Sequence, residues 1–112
     1  MEKITNSYIN KRMGKSLQRF RLKQGLTQEQ LADKIGKSAK TISQIETGKD
    51  GTSKRTDLEY INMLGIMPNA LYREFITNSD LKKRMDVCEK IDNLPKEKRD
   101  ALYKIVDAVE KI

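Results

Sequence analysis

Between residues 27 and 48 apolar positions recur at helical spacing in two short bursts, with polar residues filling the gaps. Thr27 and Gln30 form a capping box that starts a helix at Gln28, and Leu31, Ala32 and Ile35 share one of its faces. Gly36 stops this helix, because glycine adopts a left-handed backbone at little cost. Ser38 caps the next helix, whose apolar positions are Ile42 and Ile45. Ala39, Lys40, Ser43, Gln44 and Thr47 are left for solvent or a partner. Helices this short do not persist alone in water, so each must pack on its neighbours.

The same periodicity predicts a helix from about Ser7 to Lys23, with Ile9, Met13, Leu17 and Phe20 inward. Its basic face carries Lys11, Arg12, Lys15 and Arg19. A capping box at Thr56 and Glu59 predicts a fourth helix, with Leu58, Ile61 and Leu64 toward the core and Gly65 closing it. Pro68 suits the first turn of a fifth helix through about Ile76, burying Leu71 and Phe75, while Tyr60 and Tyr72 edge the core. No strand-like alternation occurs. From Asn78 onward a second organisation begins. Leu81, Met85, Cys88 and Ile91 make one stripe, Asn93-Leu94-Pro95 interrupts it, and Leu102, Ile105, Val106, Val109 and Ile112 make a stronger one. Two helices of about 30 residues cannot build an independent core. They must cover the first domain, a second copy of the chain, or another protein.

Charge changes this picture by its placement. Residues 1–55 hold 13 Lys or Arg against 5 Asp or Glu, a net of +8, whereas residues 56–112 hold 10 against 11, a net of −1. The positive field therefore belongs to the amino-terminal segment that carries the capped helix pair, as attraction to phosphate requires. An exposed helix bearing Lys, Gln, Ser and Thr suits hydrogen bonding to base edges in a DNA major groove.

The string RFRLKQGLTQEQLADKIGKSAKTISQIETGK resembles the Cro/cI-type (Xre-type) helix-turn-helix of phage repressors and bacterial regulators. Arg21, Gly25-Leu26-Thr27-Gln28, Leu31-Ala32, Ile35-Gly36, Ile42, Ile45-Glu46 and Gly48 carry the resemblance, which spans roughly residues 12–77. Lys37 departs from the apolar residue usual at its turn position, and the loop 49–56 lacks the usual Pro-Ser-Leu approach to the fourth helix. The resemblance implies an all-α, five-helix, lambda-repressor-like DNA-binding domain at 1–78, and the two stripes beyond it predict a C-terminal helical hairpin at 79–112. It implies that the helix after Gly36 enters the major groove. Lys40 then reaches guanine acceptors, Gln44 pairs with adenine, Ala39 meets a thymine methyl and Ser43 adds a weaker polar contact. Gln28 binds phosphate at the start of its helix, Ser38, Thr41, Thr47 and Lys49 contact the backbone, and Lys54 and Arg55 form a looser basic loop. Arg21 and Glu46 match positions that pair between the first and third helices.

The expected function is a sequence-specific transcriptional regulator, a repressor binding double-stranded DNA as a homodimer. Leu102, Ile105, Val106 and Val109 are the expected dimer seam, because pairing two recognition helices on a twofold axis doubles the readout over a palindrome. The alternative is an antitoxin or an antirepressor target whose hairpin binds a different protein, such as a toxin. RNA binding is disfavoured by 5% aromatic content and the lack of an aromatic platform. With no histidine and no nucleotide or hydrolase motif, catalysis finds no support, and neither a metal nor another cofactor is expected. Cys88 reads as a small packing residue, with a redox sensor the lesser alternative. No apolar run approaches the roughly 20 residues of a membrane span. The opening MEKITNSYINKR has no apolar h-region, so the cytoplasm is expected.

Overall fold

The all-α architecture expected from the periodicity is borne out in a computed structural model, which describes residues 5–112. Its elements are α1 (Asn6–Lys23), α2 (Gln28–Ile35), α3 (Ala39–Glu46), α4 (Lys54–Leu64), α5 (Pro68–Tyr72), a 3-10 turn (Arg73–Phe75), α6 (Ser79–Asp92) and α7 (Lys96–Glu110). The chain divides into two compact units, Met1–Tyr72, described from Thr5 onward, and Arg73–Ile112.

In the first unit α1 to α5 enclose a core of Met13, Leu17, Leu31, Ala32, Ile42, Ile45, Tyr60, Leu64, Ile66 and Leu71. Each large apolar side chain buried there contributes about 1.5–3 kcal/mol, which holds helices too short to stand alone. The capping of α2 is reciprocal. Thr27 Oγ1 accepts from the Gln30 N–H at 3.0 Å, and Gln30 Oε1 accepts from the Thr27 N–H at 2.9 Å. Gly36 ends α2 at φ 70, and Ser38 starts α3 by accepting from the Thr41 N–H at 3.1 Å.

The fourth helix differs from expectation. Ser53, not Thr56, is its cap, accepting from the Thr56 N–H at 3.1 Å. The helix thus begins at Lys54, and Lys54 and Arg55 belong to its first turn instead of a loop. Its inward residues are Thr56, Tyr60 and Leu64, spaced four apart. Leu58, expected inside, is 57% exposed, and Tyr60, expected at the edge, is wholly enclosed. The phase follows the larger ring, which removes more apolar area from water than Leu58 would. The fifth helix is also shorter than expected. It ends at Tyr72 and tightens into the 3-10 turn, as last turns often do.

In the second unit Asn78 caps α6 by accepting from the Leu81 N–H at 2.9 Å. Arg73 joins the turn to α6 through Asp86 and Glu89, with Nη1 2.7 Å from Glu89 Oε1. Those two carboxylates, Asp86 first, hold the Arg73 guanidinium above its ordinary pKa. Met85 is buried on α6, Cys88 is half-buried, and no residue of α7 is buried.

Candidate nucleic-acid interface

Helix α3 is sorted cleanly into two sides. Ile42, Ile45 and Glu46 are buried, and the opposite arc presents Lys40, Ser43, Gln44 and Thr47. Lys40 and Thr47 are exposed, Ser43 and Gln44 half-buried. Ala39 and Thr41 flank the arc, and the Ser38 and Thr41 hydroxyls lie 2.9 Å apart at its amino end. Beyond its carboxyl end the chain folds back, as Thr47 Oγ1 and the Asp50 N–H both donate to the Gln44 carbonyl at 3.2 and 3.1 Å. Lys49 stands exposed in that fold-back.

The angle of α3 is set from inside by Glu46. Arg21 Nε donates to Glu46 Oε2 at 2.7 Å and Arg21 Nη2 to Oε1 at 2.9 Å, while Nη1 donates to the Leu26 carbonyl at 2.6 Å. The two side chains are 7% and 1% exposed. A forked guanidinium on a carboxylate in so dry a place fixes direction as well as distance. The Glu46 bond raises the Arg21 pKa against the opposing effect of burial, so the guanidinium stays charged. Gln28 Nε2 also donates to Glu46 Oε1, at 3.4 Å. The carboxylate thus ties α1 and α2 to the base of α3, and Arg21 adds the loop before α2.

Residues 17–66, which contain all of this geometry, match the protein family described as Helix-turn-helix. That segment is an Xre/Cro-type helix-turn-helix domain. No curated protein matches the chain.

The helix-turn-helix domain is of the kind found in DNA-binding transcription regulators, with α2 and α3 as its two motif helices. It brings Ser38, Ala39, Lys40, Thr41, Ser43, Gln44, Thr47 and Lys49 onto one surface around α3, with half-buried Gln28 linked to its base. Lys54 and Arg55 stand exposed in the first turn of α4. Arg55 Nε pairs with Glu59 Oε1 at 3.2 Å along α4 and lines a groove with Lys34 and Lys37. Lys37, the departure at the turn, lies with its Nζ 3.9 Å from Glu59 Oε2. Among the described residues no group of three or more His, Cys, Asp or Glu is placed to hold a metal ion. No described helix is long and apolar enough to cross a membrane.

A second set of cations escaped the site reading of the sequence. Lys11, Arg12 and Lys15 of α1 line a groove of about 610 Å³ with Gln18 and Thr47, the last from the α3 arc. The signal for it was Gly14, a residue that costs about 1 kcal/mol against alanine inside a helix. A Cβ there would lie 2.3 Å from the Ile45 carbonyl oxygen, so α1 and α3 meet backbone to backbone.

Beneath the Arg21–Glu46 pair, the Tyr60 ring is 0% exposed and its hydroxyl has no hydrogen-bond partner among the described residues. Burial raises its pKa well above the tyrosine range, the Glu46 charge adds to the rise, and Arg21 opposes it. Only the neutral phenol suits the folded state. Stability from this group is complete below the unfolded value of about 10 and drains as pH climbs toward the folded one. Tyr60→Phe will therefore match or exceed the parent near neutrality, by up to about 2 kcal/mol, since an unpartnered polar atom is removed. The gap will widen above about pH 10. Urea unfolding on either side of that pH checks it, and a variant weaker at both would mean that the hydroxyl is partnered.

Proposed function

We infer that the protein is a repressor that binds a palindromic operator in the cytoplasm as a homodimer. The outward arc of α3, held rigid at its base by Glu46, carries the reading. Lys40 donates to guanine O6 and N7, and Gln44 makes the paired donor–acceptor contact that adenine offers. Ala39 packs on a thymine methyl and Ser43 adds a polar contact, while Ser38, Thr41, Thr47 and Lys49 hold phosphates. Gln28 spends one amide hydrogen on Glu46 and has the other for phosphate. Lys54 and Arg55 add longer-range attraction from α4.

Support for the dimer comes from α7. Ile105 is 60% and Val109 58% exposed in the single chain, with Val106 and half-buried Leu102 beside them. Such a stripe calls for a cover, and a second copy supplies one while setting two recognition helices on an axis. A different protein on this stripe, an antirepressor or a toxin, is the outcome if the chain stays monomeric.

Titrating the protein against DNA fragments from around its own gene tests the reading, with Gln44→Ala and Lys40→Ala as probes. Each substitution will weaken operator binding by about 1–3 kcal/mol and relax preference at single base positions. Unchanged affinity and preference in Gln44→Ala would remove α3 as the reader.

A further inference from the structure

We propose that Lys11, Arg12 and Lys15 on α1 grip the DNA backbone beside the carboxyl end of α3, a phosphate clamp added to the helix-turn-helix. The proposal rests on the DNA-binding reading and extends it to a surface outside α2 and α3. Helix α1 carries six cations and no Asp or Glu over its 18 residues. Glu46 answers Arg21 from across the core, and its charge is therefore taken up although it borders the groove. Lys11 and Lys15 lie one turn apart, where like charges repel unless an anion sits between them. The Arg12 guanidinium lies 5.3 Å from the centre of the Tyr8 ring, a cation–π contact that keeps its charge at the rim of the groove.

Position decides the anion. Gly48, at φ 78, has no Cβ; one placed there would come within 2.6 Å of the Lys11 Cα. Lys11 is thus pressed against the chain directly after Thr47, and Thr47 borders both the groove and the α3 arc. An anion in this groove lies alongside whatever α3 reads. A strand of the operator duplex meets that requirement, and a free anion does not need it.

The test uses the full chain, a duplex carrying the operator and a scrambled duplex, with anisotropy titrations over a range of salt. Lys11→Ala/Lys15→Ala will lower affinity for both duplexes, on the order of ten- to a hundredfold at about 0.1 M salt, and will reduce the salt slope by about 2. The ratio between operator and scrambled duplex will hold, and Lys11→Arg/Lys15→Arg will retain binding. Both lysines are exposed, so the melting temperature will stay at the parent value. Lys82→Ala/Lys83→Ala removes equal charge from α6 and will leave the slope unchanged. A clamp variant that binds like the parent, or a control that loses as much, overturns the clamp while leaving the DNA reading standing. A parent chain that binds neither duplex overturns both.

Discussion

Exchanging Arg21 for alanine will lower unfolding free energy by about 3–5 kcal/mol, because it strands the Glu46 carboxylate in a dry interior. Against a typical total of about 5–15 kcal/mol, that loss brings the domain near unfolding at room temperature. Lys40→Ala, a change on the exposed arc, will leave the melting temperature where it is. The double variant Arg21→Met/Glu46→Leu will recover much of the loss, since no charge is left without a partner. Its DNA affinity will stay low, because the forked bond that aims α3 is gone. Thermal melts of the three variants, followed by operator titration, separate the two effects. Arg21→Ala melting together with Lys40→Ala would show that the pair adds nothing to stability.

Ile105→Lys/Val109→Lys will abolish self-association and reduce operator affinity on the order of a hundredfold or more, while unfolding of the first unit stays unchanged. Joining two readers turns the second contact into an intramolecular one, and the loss is that of its effective concentration. In the parent, half-sites will lie about one DNA turn apart, roughly 34–36 Å, or a multiple of it. Sedimentation of both chains alongside binding measures this. A parent that stays monomeric at high micromolar concentration assigns the stripe to a different protein.

What could be read from the chain beforehand was what is decided locally. Thr27 meets Gln30 and Ser38 meets Thr41 within one turn, so those starts are visible as residue pairs, and Gly36 marks its own stop. The start of α4, read at Thr56, lies three residues earlier. Ser53 and Thr56 both carry a hydroxyl suited to capping, and the choice falls to where Tyr60 is buried, which depends on the other helices. Arg21 and Glu46 stand 25 residues apart, so only the family resemblance brought them together. The Lys11–Thr47 groove had no such guide. It exists because two glycines far apart in sequence let two backbones touch, and no periodicity records that.

That contact has a consequence for which operators the protein accepts. Where side chains separate two helices, rotamer changes let the spacing breathe; where main chain rests on main chain, only atomic radii set it. Gly14 and Gly48 make α1 and α3 the fixed jaws of a caliper. A duplex whose groove width or bend sets bases and phosphates at another separation must itself deform to fit, and stiff sequences do so at greater cost. Operators will then be sorted partly by flexibility at positions no side chain touches.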